Sequence, residues 1–283
     1  MKLHVIQGNS QKLDGGSMFG NAPKALWSRW VQADELNRIN LSTRALLLQT
    51  DNGENILFET GVGAFFDQKL KDRYGVQENE HLLLKNLKSL GISDSDIDAV
   101  VLSHLHFDHA GGLLPEYGDP PIRLLFPNAT YYVGKKHWER AKNPHVREKA
   151  SFIPIIQELL EQSNRLTLID DGDILDYNPK ISFHFSDGHT IGLMASEISL
   201  KSGPLIFISD IAPGIPWIHV PITMGYDRYP ELIINEKKNI LEETLENHGY
   251  FFFTHDPVTA CAKIELDENG KYKAIPIDIT TLS

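Results

Sequence analysis

Ser103-His104-Leu105-His106-Phe107-Asp108-His109-Ala110-Gly111-Gly112 is the stretch on which the reading of this chain turns. Three histidines and one aspartate follow directly on Ala99–Ser103, a short apolar run of strand composition. Burying side chains this polar without partners would cost about 1–3 kcal/mol each. A divalent cation removes that cost, because neutral imidazole nitrogen and carboxylate oxygen are ligands that Zn²⁺ takes at about 2.0–2.2 Å. Alternate side chains share a face on an extended backbone, so His104 and His106 point the same way. Asp108 and His109, in the turn that follows, are placed to reach a second ion.

One segment does not close two metal positions, so further ligands must come from elsewhere. His189, in Asp187-Gly188-His189-Thr190, follows the strand-like Ile181–Phe185. Asp210 ends Leu205–Ser209, and His255 ends Tyr250–Thr254. Each stands at a strand end, where a side chain can project into a shared site. Ala45–Phe58 reads as a hairpin turning at Asp51-Asn52-Gly53. Helical spacing marks residues 78–90, 152–162 and 231–247, and more strands follow to a last hairpin around Asn269-Gly270. The order hairpin, helix, strand occurs twice, with equal separations from Glu59 to His104 and from Asp210 to His255. Glu59 therefore reads as the first half's counterpart of Asp210 and a candidate to orient an imidazole. This mix of elements points to an α/β fold with two sheets flanked by helices.

The spacing His-x-His-x-Asp-His, with His189, Asp210 and His255 downstream, resembles the metallo-β-lactamase superfamily over essentially the whole chain. The resemblance implies a four-layer αβ/βα sandwich with two mixed sheets and a two-metal site at one edge. It implies that one ion takes His104, His106 and His189, the other Asp108, His109 and His255, and that Asp210 bridges them. The implied cofactor is two Zn²⁺ per chain, with Mn²⁺, Fe²⁺ or Co²⁺ as alternatives. His-Phe-Asp-His-Ala-Gly-Gly is similar to the lactonase and methyl-parathion-hydrolase-like branch. Asp14-Gly15-Gly16-x-Met18-Phe19-Gly20 and Met224-Gly225-Tyr226-Asp227-x-Tyr229-Pro230 resemble hydrolases near it. Acyl-homoserine lactonases of the family commonly place a Tyr three residues after the bridging Asp. Here that position is Pro213, and His219 and Tyr226 are the candidate substitutes. The implied activity is metal-dependent hydrolysis, in which a hydroxide shared by two ions attacks an ester, lactone or organophosphate triester. Asp108 would carry the proton to the leaving alkoxide. The alternatives are iron-dependent thiol or persulfide oxidation, which needs only the first ion, and nuclease activity.

Composition narrows these choices. With 27 cationic and 38 anionic residues the formal charge is −11, a poor basis for binding a phosphate backbone. A nucleic-acid partner is not expected, and a small-molecule substrate is. The single cysteine, Cys261, excludes an intrachain disulfide framework and reads as a small buried filler. The N-terminus has no signal-like apolar run and no stretch is long enough to span a bilayer, so a cytoplasmic protein without a membrane partner is expected. No Ser/Gly-rich or Pro-rich linker divides residues 1–283, which reads as one domain. Residues 9–40 look irregular, rich in Gly and aromatics, and suited to a lid or a homodimer contact. Phe107, Met18, Phe19, Trp27, Trp30, Trp217, Ile218 and Tyr226 are candidates for an apolar substrate wall. Lys135-Lys136-His137-x-x-Arg140 reads as a solvated helix face.

Overall fold

The computed structural model describes residues 1–282. The chain divides into two compact units: Met1–Gln11 with Ser42–Asp173, and Lys12–Leu41 with the chain from Ile174 onward. After β1 (Lys2–Ile6) comes a two-stranded ribbon, β2 (Gln11–Asp14) and β3 (Arg38–Leu41), carrying the short helices α1 (Gly15–Phe19) and α2 (Lys24–Trp27). Residues 9–40 therefore hold regular structure where the sequence reads as irregular. The signals were too short to show periodicity, since neither helix exceeds five residues.

The first unit continues with β4 (Ala45–Gln49), β5 (Asn55–Phe58), α3 (Gln68–Tyr74), α4 (Leu82–Ser89) and β6 (Ala99–Leu102). Then come α5 (Phe107–Ala110), β7 (Thr130–Gly134), α6 (Lys135–Lys142), α7 (Pro154–Gln162) and β8 (Leu166–Ile169). Its six-stranded sheet runs β1-β4-β5-β6-β7-β8. β5 through β8 pair in parallel, each crossover being long enough to hold a helix. Every residue of β6 is buried, as expected of a central parallel strand covered on both faces.

The second unit holds β9 (Ile181–Ser186), β10 (Leu193–Ile198), β11 (Leu205–Phe207), α8 (Pro230–Glu246), β12 (Tyr250–Phe252), β13 (Cys261–Leu266) and β14 (Tyr272–Pro276). They form a mixed sheet ordered β14-β13-β12-β11-β10-β9. β11 and β12 are parallel and joined through α8; the other pairs are antiparallel. Two mixed sheets, each with its own helices and its own apolar core, are the α/β architecture expected. Cys261 is buried, and burial pushes its thiol up to about 12, so it is packing and not a nucleophile.

Both units contain the repeated hairpin–helix–strand order, but the register corrects one equivalence drawn from it. Phe58 lies beside Val101, three residues before His104, and Phe207 beside Phe252, three residues before His255. Glu59 N donates to Val101 O at 2.9 Å, as Ile208 N donates to Phe252 O at 3.2 Å. The counterpart of Glu59 is thus Ile208, and Asp210 sits two positions farther along. The equal separations reflect loop lengths that happen to compensate.

Candidate metal centre

In the first unit β6 ends at Leu102, and the chain turns through His104–His106 into the single-turn α5. His104, Asp108 and His109 come from this loop, with His104 and His109 fully buried and ring centroids 4.0 Å apart. His106 lies beside them, its ring edge-on to His104 at 4.5 Å. Gly112 lets the loop close: a Cβ there would stand 2.1 Å from Thr60 O. Thr60 N and the Thr60 hydroxyl both donate to His109 O, tying the loop to the end of β5.

Glu59 organises the imidazoles. It is buried, and its Oε2 accepts from His109 Nδ1 at 2.9 Å. Its Oε1 accepts from the Ser103 hydroxyl, whose Oγ is also 2.9 Å from His104 Nδ1. One carboxylate thereby holds the Nδ1 proton of both rings, and both Nε2 atoms are left as lone-pair donors. The backbone of Glu59 adopts φ 62°, a conformation non-glycine residues other than Asn and Asp seldom accept. Such strain, of order 1–3 kcal/mol, is characteristic of sites where placement outweighs stability. His106 Nε2 is 3.8 Å from Glu148, itself buried and paired with Arg140.

In the second unit three strand ends supply the ligand candidates. His189 follows β9, Asp210 follows β11 and His255 follows β12. Asp210 Oδ2 lies 3.2 Å from His189 Nε2, and its Oδ1 lies 3.2 Å from His255 Nε2. Two ligands at tetrahedral angles on one ion with bonds of about 2.0–2.1 Å stand about 3.3 Å apart. Each oxygen of Asp210 is therefore spaced from a different imidazole as if the two shared an ion. Ser209 before it is again left-handed, at φ 48°.

His189 Nδ1 donates to Asp227 Oδ1 at 2.8 Å, which leaves its Nε2 free of a proton. Asp227 Oδ2 in turn accepts from Met224 N at 2.7 Å. The loop before His189 is fastened to α8. Glu236 accepts from the Ser186 hydroxyl and from the backbone of Asp187 and Gly188 at 2.6, 2.9 and 3.1 Å. Gly188 is pressed against α8, where a Cβ would meet Ile233 at 2.5 Å. His255 N donates to Pro213 O at 3.0 Å, which steadies the backbone at this candidate.

Most of the candidate wall residues are buried. Met18, Phe19, Trp27, Trp217 and Ile218 are buried in the second core, where Phe19 stacks between Trp27 at 5.4 Å and Trp217 at 4.6 Å. Phe107 packs on Tyr74 at 4.2 Å and Phe66 at 5.6 Å within the first unit. His219 stacks on Trp30 at 5.1 Å, and this pair lines two cavities of about 560 and 420 Å³. Burial first, then Lys271 and Lys237, holds the His219 imidazole below its usual range. Tyr226 is exposed. His137 corrects the solvated-face reading of α6: it is fully buried, and its Nε2 accepts from Leu105 N at 2.9 Å, between two ligand candidates.

Asp227, Ser103, Glu148, His137 and Gln11 are the supporting residues that sequence reasoning did not assign. Asp227 stood within a quoted motif, and His137 within the run read as solvated. Ser103 headed the quoted run without being given a role, and nothing local marked Glu148 or Gln11.

A protein-family model described as the metallo-beta-lactamase superfamily matches residues 39–255. The chain belongs to the metallo-β-lactamase superfamily. It is a hydrolase of that type, with His and Asp donor sets suited to divalent metals. Relatives of this superfamily member include an N-acyl homoserine lactonase of a Bacillus species, 26% identical over 77% of this chain and 82% of that protein. The N-acyl homoserine lactonase AttM of Azorhizobium caulinodans is 29% identical, but the match spans 48% of this chain and 49% of AttM. A probable metal-dependent hydrolase from Staphylococcus aureus superposes with TM-score 0.86 and 29% identity, covering 98% of this chain and 96% of that one. The dizinc quorum-quenching lactonase AidC shares the fold, with TM-score 0.75 at 22% identity over 98% and 94%. Among the described residues no helix is long and apolar enough to cross a membrane.

Proposed function

We propose that this protein opens the ring ester of lactones, N-acyl homoserine lactones foremost, at a centre of two divalent ions, zinc in the first instance. In this reading His104, His106 and His189 serve one ion, Asp108, His109 and His255 the other, and Asp210 joins them. The observation that carries it is Asp210, whose two oxygens each face a different imidazole at 3.2 Å. A single ion needs no such divided carboxylate. The lactonase relatives supply the substrate class.

Ions held there would supply Lewis acidity and a water acidified to a pKa of about 7. The chain's own residues do the rest. Glu59, Ser103 and Asp227 keep protons on the outer ring nitrogens, so the inner ones remain donors. In this reading Asp108 would pass a proton to the leaving alkoxide from the oxygen not on the metal. No Ser, Cys or Thr nucleophile is required.

The test is to titrate Zn²⁺ into apoprotein and to assay N-acyl homoserine lactones, aryl esters and phosphotriesters in parallel. Metal-dependent turnover greatest on the lactones is expected. Turnover confined to phosphotriesters would overturn the substrate class. Absence of turnover with two equivalents bound would overturn the hydrolytic reading.

A further inference from the structure

Beside Asp108 stands a fully buried polar side chain that the ligand set does not use. Gln11 has no exposed surface, and its Nε2 donates to Asp108 Oδ2 at 2.8 Å. Its Oε1 is buried and has no hydrogen-bond partner. An ionised carboxylate only accepts, so Asp108 dictates which end of the amide faces it; turning the amide would set two oxygens against each other. A buried carbonyl oxygen left unpaired costs about 1–3 kcal/mol. A side chain retained for stability alone would have both ends satisfied, and this one does not.

The backbone that delivers Gln11 is fastened residue by residue. Asn9 donates through Nδ2 to Glu80 O at 2.8 Å and accepts at Oδ1 from Leu82 N at 3.1 Å. Ser10 donates to Glu78 through its backbone N at 2.7 Å and its hydroxyl at 2.6 Å. Gln77 N donates to Ser10 O at 3.0 Å. Residues 9–11 are thus a rigid arm laid on residues 77–82, with the Gln11 amide at its tip. Asp108 Oδ1 is left on the side of His109, 3.7 Å from Nε2.

We propose that Gln11 is a positioning residue for the second metal position. By occupying Oδ2 it confines Asp108 to Oδ1 as the ligand atom and makes Asp108 and His109 a preformed pair. The cost of the unpaired amide oxygen is offset by readiness to bind, since a ligand held in one posture loses less freedom when the ion arrives. This assignment rests on the two-metal reading above.

Metal uptake by apoprotein, measured by competition with a chromogenic chelator and by Co²⁺ absorption spectra, tests it. Wild type is expected to take two equivalents. Gln11→Leu, with Gln11→Met as the shape-matched second variant, is expected to hold the first equivalent as wild type does. The second should weaken by roughly 10–100-fold, the range for lost outer-shell partners, and its Co²⁺ band should change. The apoprotein melting point should change little, because the unpaired amide oxygen is removed together with the hydrogen bond to Asp108. Second-equivalent affinity unchanged in both variants overturns the proposal alone. Parallel weakening of both equivalents with a lower apoprotein melting point assigns Gln11 a structural role and overturns it too. A wild type that takes up one equivalent overturns the two-metal reading and this proposal with it.

Discussion

The two ligand-bearing regions reach a similar arrangement by different means. In the first unit the candidates leave one strand end in a continuous loop, and one carboxylate serves two of them: Glu59 holds His109 directly and His104 through Ser103. Two further histidines brace the same loop, His137 at Leu105 N and His81, whose Nε2 is 3.1 Å from Gly112 O. In the second unit three strand ends contribute one ligand candidate each, and the supports are separate: Asp227 to His189, Glu236 to the loop before it, Pro213 O to the backbone of His255. A compact loop can share a carboxylate. A dispersed set draws its supports separately, each from its own distance in sequence.

If that contrast holds, removing the shared support should do more damage than removing a single one. Glu59→Gln is expected to weaken zinc binding by roughly 100-fold and Asp227→Asn by roughly 10-fold, the two ends of the range for outer-shell partners. Chelator competition measures both, and equal losses would break the comparison. The glycines that dock the two loops offer a second contrast. Gly112→Ala sets a Cβ 2.1 Å from the Thr60 backbone oxygen, whereas Gly188→Ala meets Cβ, Cα and N of Ile233 at the longer distances of 2.5, 2.6 and 2.6 Å. The first should cost about 3 kcal/mol, the upper end for overpacking, and the second less, as read by denaturant unfolding.

Lys237 on α8 sharpens the comparison through pH. It is buried, donates to Ile222 O at 2.6 Å, and burial lowers its pKa from 10.5 to about 8. Between those values the unfolded chain keeps the proton and the folded one has lost it, so stability rises with pH. Relative to Lys237→Met, wild type should gain roughly 2 kcal/mol from pH 8 to 10.5. A flat difference would show that the ammonium is not desolvated.

The smallest effect is at His184. Burial opposes its charge, but the Glu197 hydrogen bond at 2.7 Å, with the Glu197 and Glu243 charges, raises its pKa above 6.5. The stability gained is full below 6.5 and fades as pH rises through the folded value. His184→Gln should therefore cost less than about 1 kcal/mol at pH 6 and almost nothing at pH 9, by thermal unfolding.

Legibility followed contiguity. His104, His106, Asp108 and His109 stand in one run, and no other chemistry gathers those side chains at a strand end. His189, Asp210 and His255 were readable as strand-end residues only once that run had been seen. Glu59 was singled out for a mistaken reason, its equal separation from His104, and the register replaced that reason with a hydrogen bond. Gln11 and Asp227 touch ligand candidates 97 and 38 residues away, distances at which no local pattern survives. The aromatic N-terminal segment reads as a wall from its composition, yet Phe19 and Trp27 are core. An apolar ring looks the same in sequence whether it faces a substrate or a neighbour.

The sequence by itself determined the family, the α/β class and the donor chemistry, because these depend on residue type and short spacing, which the chain carries locally. Tertiary structure decided which nitrogen of each imidazole keeps its proton, which oxygen of Asp108 is held, and which glycines cannot change. Those depend on atoms brought within about 3 Å by strand register and helix packing, and register is a property of the paired strands, not of either strand alone.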